Sequence, residues 1–174
     1  NENYTRGYGN RTRGLWAQSV GPVSDQIEFV TIASTGDAQD FGNLTQSSQS
    51  GCHTGDSTRC VFFEGTNPTT NVISYVTIAS TGNAVDFGDM LQGVRHTCAV
   101  QSPTRGIVPG GWSNQPSDGN TNIIQYITTS TLGNAADFGD VSISESIRGH
   151  AAGCNAIRGC LLYTSPSPRD DATS

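Results

Sequence analysis

Three histidines each have a cysteine within four residues: His53 beside Cys52, His96 near Cys98 and His150 near Cys154. Imidazole with thiolate is a zinc donor set, here one that would sit in the central channel. Such a site needs its groups at one height of the scaffold. The histidines stand six, nine and eight residues before a recurring arginine, so they fall at different heights and predict no metal site. The five cysteines at 52, 60, 98, 154 and 160 form neither a CxxC pair nor a disulfide framework, and read as small buried residues. No nucleophile elbow, zinc motif or paired acid and base accompanies them, so no catalytic residue and no cofactor is expected.

Recognition chemistry is better represented. Trp112, Asn114, Asp118 and Asn120 put an apolar ring beside amide and carboxylate groups, a composition suited to a sugar. The other reading of the same stretch is that Trp112 covers the edge of its own sheet while the polar residues solvate a loop. Arg95 and Arg148 both lie ten residues before the recurring arginine, and serve either as anion donors or as donors to neighbouring carbonyls. Asp-Phe-Gly occurs at Asp40, Asp86 and Asp137. In kinases that triplet binds metal, but it needs a glycine-rich loop, a strand lysine and a His-Arg-Asp loop, and this chain has no lysine.

The elements that must carry these residues repeat. Val76–Asp89 reads VTIASTGNAVDFGD, with an earlier copy at Val30–Asn43 and a looser one at Ile127–Asp140. Phe41 and Phe87 are 46 residues apart, Phe87 and Phe138 are 51 apart, and Arg13, Arg59, Arg105 and Arg158 recur at 46, 46 and 53. Each unit reads as four short strands. Strand a is exemplified by Thr97–Val100, strand b by Leu15–Ala17 and Val61–Phe63, strand c by Val72–Ala79 and Ile123–Thr129, and strand d by Asp86–Gly88. Four antiparallel strands at this period describe a propeller blade better than a solenoid unit. The expected fold is all-β, a partial propeller of about 3.5 blades, with units at about 3–44, 45–91, 92–141 and a truncated 142–159. Such a meander places the a-b and c-d turns on one face, and the b-c and d-a connections on the other. Arg105 to Phe138 spans 33 residues against 28 in the earlier units, so the variable length, and with it any ligand site, falls on the b-c and d-a face. Phe41, Phe87 and Phe138 are expected between blades, and the paired recurrence of arginine with Asp40, Asp86 and Asp137 predicts an Arg–Asp pair.

These residues resemble the kelch repeat. The likeness rests on the Arg-led strand Arg148–Cys154, on Ile107–Gly111 ending in Gly-Gly, on Phe29, Tyr75 and Tyr126 in strand c, and on Phe41, Phe87 and Phe138 in strand d. It covers residues from about 3 to 159. The double glycine stands only in the third unit, and phenylalanine replaces the tryptophan usual in the fourth strand. The marker wording is also similar to kelch-like arrays of environmental viral and bacterial sequences. That resemblance implies a non-enzymatic binding or structural module of a phage tail or cell surface, extracellular or on the virion, taking a glycan or protein. The kelch-type fold also hosts enzymes of the galactose-oxidase type. Such an enzyme would need a copper site of Tyr and His with a Tyr-Cys cross-link, which the tyrosines and cysteines here do not compose. A ligand-free structural array is the remaining alternative.

Cys160–Asp170, CLLYTSPSPRD, resembles translated sequencing-adapter read-through, so 160–174 is expected to be a non-native or disordered tail. The fourth blade is then cut short, and missing blades of the same chain become expected partners. An incomplete propeller exposes faces built for neighbours, which predicts association or partial disorder. A net charge of −6 with scattered arginines disfavours nucleic acid, and no apolar run is long enough for membrane insertion.

Overall fold

The computed structural model describes residues 6–17, 23–66, 68–114, 119–142 and 151–162. Among these residues there are strands and no helix. The first sheet is β1 (Arg6–Gly9), β2 (Arg13–Ala17), β3 (Ser24–Thr31) and β4 (Gln39–Ser48). The second is β5 (Cys52–Gly55), β6 (Arg59–Phe63), β7 (Val72–Thr77) and β8 (Val85–Asp89). The third is β9 (Val100–Gln101), β10 (Arg105–Ser113), β11 (Gly119–Thr128) and β12 (Ala136–Asp140), and the fourth holds β13 (Ala151–Cys154) and β14 (Gly159–Leu162). Each is an antiparallel meander in chain order, and the first strands of successive sheets lie side by side.

Strand alternation decides which neighbour each side chain meets. Cys60, Phe62, Val76, Ile78 and Ala84 of the second sheet pack against Leu15, Ala17, Ile27, Phe29 and Phe41 of the first. The intervening Val61, Phe63, Ile73 and Phe87 pack against Val108, Ile127 and Ala135 of the third. A sheet covered on both faces needs apolar residues at every position, which is why Cys60–Phe63 shows no polar alternation. Burying a Phe or Ile side chain in this way contributes about 1.5–3 kcal/mol, so the second sheet, flanked on both sides, is the most strongly held.

The turn before each recurring arginine is built alike. Asn10 Oδ1 accepts from the amides of Thr12 and Arg13, Asp56 Oδ1 from Thr58 and Arg59, Ser102 Oγ from Thr104 and Arg105, and Asn155 Oδ1 from Ile157 and Arg158. A short polar side chain three residues before arginine therefore closes the a-b hairpin.

Successive sheets are also joined by backbone. Gly82 N donates to Phe41 O at 2.7 Å and Ala84 N to Asn43 O at 2.8 Å, while Asn83 Oδ1 accepts from Asn43 N at 3.1 Å. The next junction repeats the pattern, with Gly133 N on Phe87 O at 2.9 Å, Ala135 N on Asp89 O at 2.8 Å and Asn134 Oδ1 accepting from Asp89 N at 3.0 Å. The turn of one sheet thus lies along the last strand of the sheet before it. Gly42 and Gly88, at φ +144° and +146°, allow the approach, because a Cβ at either would collide with the carbonyl of Gly82 or Gly133.

Several expectations are corrected. Among the described residues Arg13, Arg59 and Arg105 do not pair with aspartate. The guanidinium carbons of Arg13, Arg59 and Arg105 lie 4.7, 5.0 and 4.8 Å from the ring centroids of Phe29, Tyr75 and Tyr126. Those rings in turn meet Phe41, Phe87 and Phe138 edge-on at 5.6, 5.9 and 5.9 Å. Arg13 Nη1 then donates to Ile78 O at 2.7 Å and Arg59 Nη1 to Thr129 O at 3.1 Å, both in the following sheet. A guanidinium can stack on a ring and still donate along its edge, whereas Asp40 and Asp137 accept the amides two residues on, Gly42 and Gly139.

β4 runs to Ser48, past the boundary expected at residue 44, because Ser48 pairs with Ser24 and its hydroxyl donates to Gly65 O at 2.8 Å. β9 is shorter than Thr97–Val100, because the ladder onto β10 stops before Pro109, which has no amide to give. Cys160–Leu162, expected in the tail, pair with Ala151–Gly153 as part of β14. Phe41 and Phe87 are each 2% exposed between sheets, but Phe138 is 51% exposed.

Candidate functional site

The b-c and d-a connections bring several of the expected recognition residues to one face. In the third sheet a bulge between Pro109 and Gly111 lets β10 continue beyond the core, so that Trp112 pairs with Asn120 and Ser113 with Gly119. Arg95 joins from the d-a connection through a backbone bridge, its amide donating to Trp112 O at 2.9 Å and its carbonyl accepting from Trp112 N at 2.8 Å. Trp112 is half-buried and Asn120 exposed. Asn114 is engaged structurally: its Oδ1 accepts from Thr69 N at 3.0 Å, and its backbone amide donates to Thr69 Oγ1 at 3.1 Å. Asp118 and Arg148 lie outside the described residues.

The Thr69–Asn114 tie borders a groove of about 690 Å³ between the second and third sheets. Its lining includes the polar Thr69, Thr70, Asn71 and Gln92 and the apolar Val72, Leu91 and Ile123. Leu91 stands 53% exposed at the groove. One buried amide fixes the floor. Gln125 Oε1 accepts from Leu91 N at 2.9 Å and its Nε2 donates to Gln92 O at 2.9 Å.

The other wall is held by a buried acid. Thr70 Oγ1 donates to Glu64 O at 3.1 Å and accepts from Gln46 Nε2 at 2.8 Å. The Glu64 carboxylate, fully buried, accepts from Ser74 Oγ, from Thr45 Oγ1 at 3.0 Å and from Thr45 N at 3.4 Å. Burial pushes the Glu64 carboxyl above its ordinary value, and the hydrogen bonds from Ser74 and Thr45 oppose that shift. Thr45 and Leu91 each stand four residues after a strand-d phenylalanine, and Ser74 and Gln125 each precede a strand-c tyrosine. Glu64 and Gln125 therefore cap the same backbone amide at successive junctions, one reaching from a b-c loop and the other from strand c.

On the opposite face, a cleft of about 410 Å³ opens among the a-b turns, lined by Tyr8, Asp56, Gln101, Cys154 and Asn155. Tyr8 donates to Asp56 O at 2.9 Å, and burial pushes its hydroxyl up to about 12. In this cleft the Cys154 sulfur accepts from Gln101 N at 3.4 Å. His53 lies buried with its ring 4.9 Å from that of Phe62, and His150 lies outside the described residues. Among the described residues no three His, Cys, Asp or Glu side chains converge as a metal site would need.

Sequence reasoning missed Thr69, Leu91, Gln92, Gln125 and Glu64. Of these only Gln92 recurs at a fixed offset as the same residue type, with Gln46 standing likewise five residues after its phenylalanine; the others are revealed only by the assembled junction. The short polar residue before each arginine did carry a signal, since Asn10, Asp56, Ser102 and Asn155 all precede their arginine by three.

No family model matches the chain, and no curated protein matches it either. Among solved structures it is similar to one described as the structure of YjhT, at a TM-score of 0.75 and 8% identity. The match covers 92% of this chain and 56% of that one, so this chain spans little more than half the length of that structure. An identity of 8% shows fold alone: all-β, with four-stranded antiparallel sheets set in series in a β-propeller-like arrangement.

Proposed function

We propose that this protein is a non-enzymatic binding module, a kelch-like propeller array of the phage-tail or cell-surface kind, which takes a glycan on its b-c and d-a face. The observation that carries this reading is the groove between the second and third sheets. A sugar presents hydroxyls around an apolar ring face, and it needs donors and acceptors interleaved with apolar surface. Thr69, Thr70 and Gln92 line that groove together with Val72, Leu91 and Ile123. The walls are fixed before any ligand arrives, because Gln125, Glu64 and Asn114 hold the backbone of the loops that form them. Preorganised walls reduce the ordering cost of binding. Trp112, half-buried on the neighbouring hairpin, is a stacking surface for a longer saccharide.

A glycan array probed with the full chain, followed by calorimetry on the strongest hit, tests this. Saturable binding that falls at least tenfold in Leu91→Asp is the expected result. An array without hits, or hits that Leu91→Asp leaves unchanged, would overturn it.

A further inference from the structure

The junction between the second and third sheets repeats the backbone of the junction before it, and three of its side chains differ in kind. Val72 and Ile123 pair with Asp89 and Asp140 across their c-d hairpins, and Gln26 pairs likewise with Asn43 in the first sheet. Leu91 stands four residues after Phe87, as Thr45 does after Phe41. The three equivalent positions are therefore Gln26, Thr45 and Val72 at the first junction, and Val72, Leu91 and Ile123 at the second. Thr45 is satisfied by the Glu64 carboxylate, whereas Leu91 is 53% exposed and lines the groove with Val72 and Ile123, both partly buried. Where one junction is polar and self-satisfied, the next presents aliphatic surface.

The same comparison fixes the charge. Gln125 caps the Leu91 amide where Glu64 caps that of Thr45, so an acid at one junction is a neutral amide at the next. Among the described residues that line the groove none carries an ionisable side chain. Part of the polar lining is already committed: Thr70 Oγ1 donates to Glu64 O and accepts from Gln46 Nε2, and Thr69 Oγ1 accepts from Asn114 N. Asn71 lines the groove exposed, its carbonyl held by Met90 N at 2.7 Å. A carboxamide both donates and accepts, as a pair of adjacent sugar hydroxyls requires.

Resting on the glycan reading, we propose that this groove is a subsite for the methyl group of a neutral sugar, with Leu91 as the residue that sets the specificity. Two sources carry such a methyl: the 6-deoxy carbon of a deoxyhexose, and the acetamido group of an N-acetylhexosamine. A methyl laid against Val72, Leu91 and Ile123 exchanges water for apolar surface. The hydroxyl of an ordinary hexose at that place would lose its hydrogen bonds to water without replacement. Asn71 takes the ring hydroxyls alongside. An enclosed apolar pocket separates a ligand from its hydroxylated counterpart by roughly a hundredfold, and a groove open on one side by less.

Calorimetric titration of the full chain with methyl glycosides in two matched pairs tests this. L-Rhamnose and L-mannose differ only at carbon 6, and N-acetylglucosamine and glucose only at carbon 2; glucuronic acid is the charged control. The methyl-bearing member of at least one pair is expected to bind at least about fivefold more tightly than its partner, and the pair that shows the preference identifies the source of the methyl. Leu91→Thr, which installs the residue found at the first junction, removes that preference and leaves the weaker member's affinity unchanged. Because Leu91 is half-exposed, the change leaves the core untouched, and circular dichroism checks it. Equal binding within both pairs, tighter binding of glucuronic acid, or a preference that survives Leu91→Thr overturns the methyl subsite while the glycan reading stands. Absence of binding by all five sugars also overturns the subsite, and a glycan array without hits then overturns the glycan reading as well.

Discussion

Gly82 N donates to Phe41 O across the boundary between the first two sheets at 2.7 Å, and Gly133 N repeats the bond on Phe87 O at 2.9 Å in the next. This contact gives the repeated stretch its physical meaning. The glycine after Phe41 leaves room for the Gly82 carbonyl, which a Cβ at Gly42 would meet. The Asn side chain takes up the one amide that the turn's backbone does not reach. The Ser-Thr-Gly-Asn-Ala and Asp-Phe-Gly halves of the motif are thus two sides of one junction, contributed by adjacent sheets.

Substitution at Gly88 and Gly139 separates the strain of a positive φ from loss of the junction. Both residues are in the left-handed half of the φ range, at +146° and +135°, where a side chain costs about 1 kcal/mol or more. Only at Gly88 would the new Cβ collide with the Gly133 carbonyl. Gly88→Ala should therefore lower stability by more than Gly139→Ala, with a gap of at least about 2 kcal/mol once the junction's hydrogen bonds are counted. Urea denaturation of the two variants measures it, and equal losses would show that the junction contributes little.

Arg59 stacks on Tyr75 and donates to Thr129 O, so its contribution is an aromatic contact and one interblade hydrogen bond, with no partner charge involved. Arg59→Ala is expected to cost about 1–2 kcal/mol, below the roughly 3–5 kcal/mol that breaking a buried ion pair would cost. A double-mutant cycle with Asp86→Ala should give a coupling near zero, and one with Tyr75→Leu a coupling of about 0.5–1 kcal/mol. Coupling to Asp86 that exceeds coupling to Tyr75 would restore the ion pair and remove the stack.

The architecture was legible because its markers repeat: the spacing of Phe41, Phe87 and Phe138 and of the arginines identifies four-stranded units without reference to any contact. The partner of the arginine was not legible. Aspartate and aromatic recur at the same period, so periodicity alone could not choose between them, and the choice turns on the local bond that Gly42 N donates to Asp40 Oδ1. Asn114 illustrates the opposite limit. Its composition suited a sugar, yet both its side-chain oxygen and its backbone amide bond Thr69, which a loop of another sheet brings to it. Glu64 and Gln125 were invisible for a related reason, since the two junctions solve one capping problem with different residues from different strands.

Glu64 offers the test that depends on pH. Its carboxyl is pushed up by burial, so the folded chain holds the proton more tightly than the unfolded chain does. The stability contributed by that proton is fully present below the unfolded value of about 4.3, and is lost as pH rises through the elevated folded value. Glutamine at this position would present the same acceptor oxygen to Thr45 and Ser74 with no charge to bury, as Gln125 does at the next junction. Glu64→Gln should therefore be more stable than the parent at pH 8, and the difference should shrink as pH falls toward 4. Glu64→Ala should be less stable than Glu64→Gln at both pH values by about 1–3 kcal/mol, because the Thr45 amide and the two hydroxyls lose their acceptor. Urea unfolding of the three proteins at pH 4 and pH 8 decides it. A gap between parent and Glu64→Gln that stays constant across that range would mean that Glu64 titrates alike in the folded and unfolded chain.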